Sequence, residues 1–308
     1  MNFTAVYNQI AILFLLIIFG YVFGKVKIIS EDMISNLSKF ILDLALPSLI
    51  ISAMMIPRTA EKFKGSLIML IIAFSTYAGS YVIAKIVSKI IKSPKEHKGI
   101  FEFSLIFSNV GFMGFPVIAT IFGPEPVFYA VIYNAAFVLL VYTLGISLVN
   151  TSEEKVDFSI KDLINTGVMA SIIGYTLFAL AVPVPEVIKG VFSLVGNTTT
   201  PLSMILIGAM LSTLPINKMF NNWRIYIIAF IRLFVLPLIT FFVFKPILGM
   251  DNIELVGVAV IIAGMPVAAN AALIAQEYAG DPEVASQCVF ISTLFSIISI
   301  PILSLLFM

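Results

Sequence analysis

Ten separate apolar runs, most of them about 20 residues long, dominate this sequence: 5–23, 34–56, 66–90, 100–122, 127–149, 163–182, 187–214, 223–244, 253–275 and 284–307. A helix rises 1.5 Å per residue, so about 20 residues cross the roughly 30 Å hydrocarbon layer of a bilayer. Inside lipid every backbone polar group must find a partner within the protein, and helices meet that demand segment by segment. The runs therefore predict an all-α membrane protein of ten transmembrane helices, with the lipid bilayer as its first partner. Composition agrees, because only 11% of residues are charged against about a quarter in a soluble domain. A net charge of +1 supplies no concentrated positive field for nucleic acid, so none is expected as a partner. Residues 1–9 carry no basic side chain, which argues against a cleaved leader and for retention of the first run as a membrane helix.

Several chemistries drop out early. Cys288 is the only cysteine and sits in an apolar stretch, as expected of a buried, inert thiol. The single histidine, His97, lies in a connection with Lys92, Lys95 and Lys98. Neither a nucleophile–histidine grouping nor a metal-ligand cluster can be assembled, and no glycine-rich loop followed by lysine is present to hold a nucleotide. No cofactor, no metal and no enzymatic activity are expected.

The connections set an orientation. Odd-numbered connections and their helix edges hold twelve Lys and Arg residues, against five on the other side. By the positive-inside rule the odd connections face the cytoplasm of a cell membrane and both termini face outward.

The chain can also be laid on itself. Gly20-Tyr21 recurs as Gly174-Tyr175 and Pro47 as Pro201, both at an offset of 154 residues. Gly114-Phe115-Pro116-Val117 recurs as Gly264-Met265-Pro266-Val267 at an offset of 150. Residues 1–149 would form one repeat and 163–308 the other, joined by a charged loop at 150–162 that the lysine count assigns to the cytoplasm. Five helices per repeat is an odd number, so the second repeat enters the membrane from the opposite side, the inverted plan of many carriers. Chance matching of common membrane residues is the competing explanation.

Within that plan the fourth and ninth helices carry breakers. The fourth reads Asn109-Val110-Gly111-Phe112-Met113-Gly114-Phe115-Pro116, and the ninth reads Gly264-Met265-Pro266-Val267-Ala268-Ala269-Asn270. Proline removes a donor and clashes with the preceding turn, and glycine loosens it further. An interrupted helix exposes N–H groups with partial positive charge, which hold an anion without a buried cation. Asn109 and Asn270 add amide donors, and Asn134 in the fifth helix can flank the break. The pocket expected here takes a small organic anion with an apolar body. Packing kinks are the plainer alternative. Asp43 and Arg232, charged residues inside apolar runs, carry either a coupling or gating role or a structural pairing. Glu277 and Asp281 are expected to be solvated at the interface, and the hydroxyls of Thr198, Thr199 and Thr200 to bond backbone around a kink at Pro201.

At these motifs the sequence resembles the auxin efflux carrier family in its compact prokaryotic form. The resemblance runs through Leu44-Ala45-Leu46-Pro47-Ser48-Leu49-Ile50 and the Asn109–Pro116 stretch. It is strongest at Met265-Pro266-Val267-Ala268-Ala269-Asn270 and at Ala275-Gln276-Glu277-Tyr278-Ala279-Gly280-Asp281-Pro282. It implies the ten-helix inverted fold shared with bile-acid sodium symporters, with broken crossover helices 4 and 9. Helices 1, 2, 6 and 7 would form a scaffold, commonly a homodimer interface, and helices 3–5 and 8–10 a transport domain moving as an elevator. It further implies that Asn109 is the crossover asparagine beside the substrate carboxylate, that Pro116 and Pro266 are the crossover prolines, and that Asn134 is the fifth-helix asparagine. Prokaryotic members resemble malate or malonate permeases. Plant members export auxin and have a long central loop, whereas here that loop is only 150–162.

The expected function is thus secondary transport of a mono- or dicarboxylate. A sodium-coupled symporter, with Na⁺ held by oxygens near Asn270, is the alternative. A channel is a more distant one, since no charged ring or carbonyl filter is recognisable.

Overall fold

The computed structural model describes residues 3–150, 165–215, 219–249, 252–278 and 280–307. The joining loop expected at 150–162 lies outside the described residues, except for Asn150. Among the described residues all regular structure is helical, and a single isolated bridge is the only strand-like pairing. In chain order the helices are α1 (Phe3–Lys25), α2 (Glu31–Phe40), α3 (Leu46–Met54), α4 (Ala60–Ile90), α5 (Lys95–Ile106), α6 (Phe115–Phe122), α7 (Val127–Leu140) and α8 (Ile146–Val149). They continue with α9 (Thr166–Ala179), α10 (Glu186–Asn197), α11 (Thr199–Thr213), α12 (Trp223–Phe230), α13 (Leu236–Leu248), α14 (Ile253–Ala263), α15 (Ala271–Glu277) and α16 (Pro282–Ser304).

Seven continuous helical stretches are long and apolar enough to cross a membrane: 7–25, 31–54, 60–90, 127–149, 186–213, 223–248 and 282–307. Three further apolar helices, 110–122, 166–179 and 253–263, are shorter. Two of these are short because their spans are interrupted, at 107–109 and at 264–270. The third ends just before Ala181, which sits at φ +50°, a backbone conformation that stops a helix.

Three spans contain a π turn with one sequence signature. The segments Ile41–Ala45, Val110–Gly114 and Ile231–Val235 are each followed by one residue and then a proline, namely Pro47, Pro116 and Pro237. A proline ring collides with the carbonyl four residues back and offers it no N–H. Widening the preceding turn relieves the collision, and Leu46 N–H and Leu236 N–H accordingly donate five residues back, to Ile41 O and Ile231 O. A fourth π turn, Val141–Gly145, is not followed by a proline; a side chain on Gly145 would crowd the rings of Phe103 and Phe107.

The helices gather into two compact units. The first holds residues 1–70, 111–135 and 163–213. Here α1 lies on α11, and their backbones approach through glycine: a Cβ on Gly20 would collide with Ile205 O, and one on Gly208 with Ile17 O. Likewise α3 packs on α9 and α10 at Gly174 and Gly196. Small residues of this kind let membrane helices gain dispersion contacts where no hydrophobic force acts between them. Between α10 and α11 the helix is interrupted at Thr198, whose Oγ1 donates to Val195 O at 2.7 Å as expected, whereas the buried Thr199 Oγ1 has no hydrogen-bond partner among the described residues. In the same unit, Lys62 Nζ in the first turn of α4 lies 2.8 Å from Glu125 Oε2 and holds the Glu125 carboxyl below its usual range by a hydrogen bond and its charge.

The second unit holds 71–110, 136–162 and 214–308. α13 packs on α14, and α16 packs on α15, α12 and α5. Asp281 does not simply face water at the head of α16. It caps that helix, accepting from Glu283 N–H and Val284 N–H at 3.0 and 3.1 Å, and pairs with His97 Nε2 at 3.1 Å. Glu277 is exposed, as expected.

Candidate functional site

The two breaks meet in the second unit. α5 stops where Phe107 turns extended, at φ −102° and ψ 113°. α14 stops at Gly264, and the chain resumes as α15 only at Ala271. Between them Ser108 and Val267 form an antiparallel bridge. Asn109 N–H donates to Pro266 O at 2.8 Å, and Ala268 N–H donates to Phe107 O at 3.1 Å. Phe107, Ser108, Asn109, Met265, Val267 and Ala268 are all buried. Buried backbone must be paired, and these two unwound segments pair with each other. Proline suits its place here, since it brings an acceptor and no N–H in need of one.

Side chains from neighbouring helices complete the pairing. Arg232, on the π turn Ile231–Val235 and only 2% exposed, donates from Nε to Met265 O at 3.1 Å and from Nη1 to Leu105 O at 2.6 Å. One guanidinium thus ties a carbonyl from each interrupted span. Val267 N–H donates to Ser292 Oγ on α16 at 3.0 Å, and that hydroxyl donates onward to Val289 O. Replacing Ser292 by Ala strands a buried N–H, so a loss of about 1–3 kcal/mol is expected. Thermal denaturation in detergent measures it, and an unshifted midpoint would show that Val267 has another acceptor.

The expected site residues take different places. In the second unit Asn109 is 4% exposed, Asn270 is half-buried at the head of α15, and Pro266 is buried in the bridge. Gly264 is a packing residue, where a Cβ would collide with Leu303 and touch Pro237. In the first unit Gly114 and Pro116 are buried, and Asn134 on α7 is 9% exposed. Gly111 has only Leu46 Cδ2 at 3.6 Å from a would-be Cβ, so space alone does not demand glycine there. Among the described residues, the side-chain amides of Asn109, Asn134 and Asn270 have no hydrogen-bond partner.

Asp43 and Arg232 lie in different units and do different work. Asp43 is exposed on the π turn Ile41–Ala45; Thr166 Oγ1 lies 2.9 Å from Leu42 O and 3.0 Å from Asp43 Oδ1, sharing one proton between them. Arg232 braces the breaks. Sequence reasoning missed Ser292, whose only trace is its place in a buried hydroxyl stripe with Thr293, Ser296 and Ser299 on α16. It also missed Glu102, an acid lying within an apolar run and 2% exposed. No cluster of three or more His, Cys, Asp or Glu side chains fit for a metal is found among the described residues.

Apolar helices long enough to cross a bilayer, with unwound backbone sealed among them, define a multi-pass α-helical membrane protein. A family model described as membrane transport protein matches residues 5–304. The chain belongs to that family, the auxin efflux carrier family of membrane transporters, which is not a family of enzymes. It is 26% identical over 296 residues to an uncharacterized transporter of Methanothermobacter thermautotrophicus, with 94% of each chain covered. It is 25% identical over 302 residues to an uncharacterized transporter of Methanocaldococcus jannaschii, covering 95% of this chain and 96% of that one.

Proposed function

We propose that this protein is a secondary carrier that moves a small organic anion, such as a mono- or dicarboxylate, across the cell membrane by alternating access. The observation that carries the reading is the paired break: unwound backbone crossing in the protein interior, with the unspent amides of Asn109 and Asn270 beside it. Neutral dipoles of this kind suit an anion that must bind and leave.

The finer architecture belongs to the same proposal. Ten spans follow if the three shorter apolar helices complete the seven long ones. Inverted repeats are supported by the antiparallel sense in which the two breaks pair. A scaffold of helices 1, 2, 6 and 7 draws support from the first unit, which collects residues 1–70 and 163–213 together with 111–135 of the fourth and fifth helices. On this reading the scaffold joins two copies as a homodimer, the transport domain moves as an elevator, and both termini face outward.

The test is Asn109→Ala in proteoliposomes loaded for malate or malonate exchange. A hydrogen bond to a charged group accounts for roughly 10- to 100-fold in affinity, and that loss is expected with an unchanged melting point. Wild-type affinity in the folded variant would remove Asn109 from the site. Imposed sodium and proton gradients in the same vesicles identify the coupling ion.

A further inference from the structure

A second polar site lies where α4 ends and α5 begins. A pocket of about 580 Å³, within the roughly 300–1,000 Å³ typical of small-molecule sites, opens in the second unit between α4, α5 and α8. Lys85 on α4 and Lys95 and Lys98 on α5 line it, together with Glu96 and Glu102, so its charged lining carries one net positive charge. Gly99 lets α5 close against α8, since a Cβ there would collide with Leu148 O.

Three features say what this pocket takes. First, α5 begins at Pro94 with no side-chain cap, and its first residues, Lys95 and Glu96, line the pocket. Uncapped N–H groups and lysines together attract an anion. Second, Glu102 forms part of the wall with its carboxylate buried. Its Oε2 accepts from Lys85 Nζ at 2.5 Å, while its Oε1 has no hydrogen-bond partner among the described residues and lies 4.0 Å from Lys98 Nζ. A buried carboxylate oxygen left without a donor calls for a ligand hydroxyl. Third, the pocket sits at the end of a 31-residue apolar span, the level at which lipid phosphates lie.

We propose that this pocket binds a phosphodiester monoanion bearing hydroxyl groups, the head group of a phosphatidylglycerol-type lipid. Its single negative charge balances the lining, its phosphate meets Lys95, Lys98 and the head of α5, and a glycerol hydroxyl donates to Glu102 Oε1. The proposal needs α4 to cross a bilayer, but it does not depend on the carried substrate or on which side is cytoplasmic.

The experiment titrates the delipidated full chain in detergent with four ligands and reads binding by native mass spectrometry and melting point. The ligands are short-chain phosphatidylglycerol, phosphatidylcholine, phosphatidylmethanol and the deacylated head group glycerophosphoglycerol. Phosphatidylglycerol is expected to bind and raise the melting point, roughly thirtyfold more tightly than to the Lys95→Gln/Lys98→Gln variant. Both lysines are exposed, so that variant is expected to fold as the parent does. Phosphatidylmethanol, which has the charge without the hydroxyls, is expected to bind several-fold more weakly. Equal affinity of phosphatidylglycerol for parent and variant, or for phosphatidylcholine and phosphatidylglycerol in the parent, overturns the site. Equal binding of phosphatidylmethanol overturns the hydroxyl contact with Glu102. Saturation by glycerophosphoglycerol at the lipid's own affinity overturns the lipid and assigns the pocket to a free phosphodiester. Carboxylate exchange measured alongside reports separately on the carrier reading.

Discussion

Replacing Arg232 by Ala is expected to abolish transport and to cost about 2–6 kcal/mol of stability, from two stranded carbonyls at about 1–3 kcal/mol each. The guanidinium reaches Met265 O with one nitrogen and Leu105 O with another, so one side chain holds carbonyls that flank both breaks. Those carbonyls are buried, and water has no path to replace the lost donors cheaply. The variant should melt well below the parent in detergent and carry no substrate in proteoliposomes. Arg232→Lys discriminates positioning from charge. An ammonium is a compact charge without the planar fork, so it serves one carbonyl well and the other poorly. Partial stability with impaired uptake is the expected outcome for lysine, and parental melting and uptake in the alanine variant would refute the bracing role.

Gly208→Leu is expected to leave little folded protein. A Cβ at this position meets Ile17 O and Tyr21 N, which are backbone atoms of α1 and cannot rotate aside. Overpacking against mobile side chains costs roughly 1–3 kcal/mol, and a clash with a helix backbone lies at or above the top of that range. The contact is reciprocal, because Gly20 of α1 faces Ile205 O of α11 in the same way. The matched control is Gly79→Leu. Gly79 has nothing within 4 Å of its would-be Cβ, so its variant should melt as the parent does. Size-exclusion profiles in detergent separate the two, and a monodisperse, parent-like Gly208→Leu protein would show that α1 and α11 do not pack through these glycines.

Much of this architecture is legible in the sequence, because lipid imposes a one-dimensional rule. The helix-forming runs follow from length and hydropathy, and the interruptions near Asn109 and Pro266 follow from glycine and proline. Which groups satisfy those interruptions is a different matter. Periodicity says nothing of a contact between residues 109 and 266, or of the 127 residues that separate Arg232 from Leu105. Arg232 stood out as a charge within an apolar run, yet only geometry shows it serving carbonyls. Ser292 went unremarked, since a serine that returns its proton to its own helix reads the same in sequence as one that also receives an N–H. Asp281 was expected to be solvated, and it became a cap because the proline after it starts a helix whose next N–H groups need an acceptor. Glu102 passed unnoticed because its partner Lys85 comes from another span.

The widened turns ahead of Pro47, Pro116 and Pro237 have a consequence for how these spans tolerate change. One extra residue per turn rotates everything beyond it by about 100° around the axis and advances it by about 1.5 Å. The face that a span shows to its neighbours is therefore reset partway along, and two different stripes of the same span point the same way. A single-codon deletion within 41–45 or 231–235 would keep every apolar residue and still misalign one stripe against the other. Length variation should accordingly collect in the loops, while these short stretches resist it.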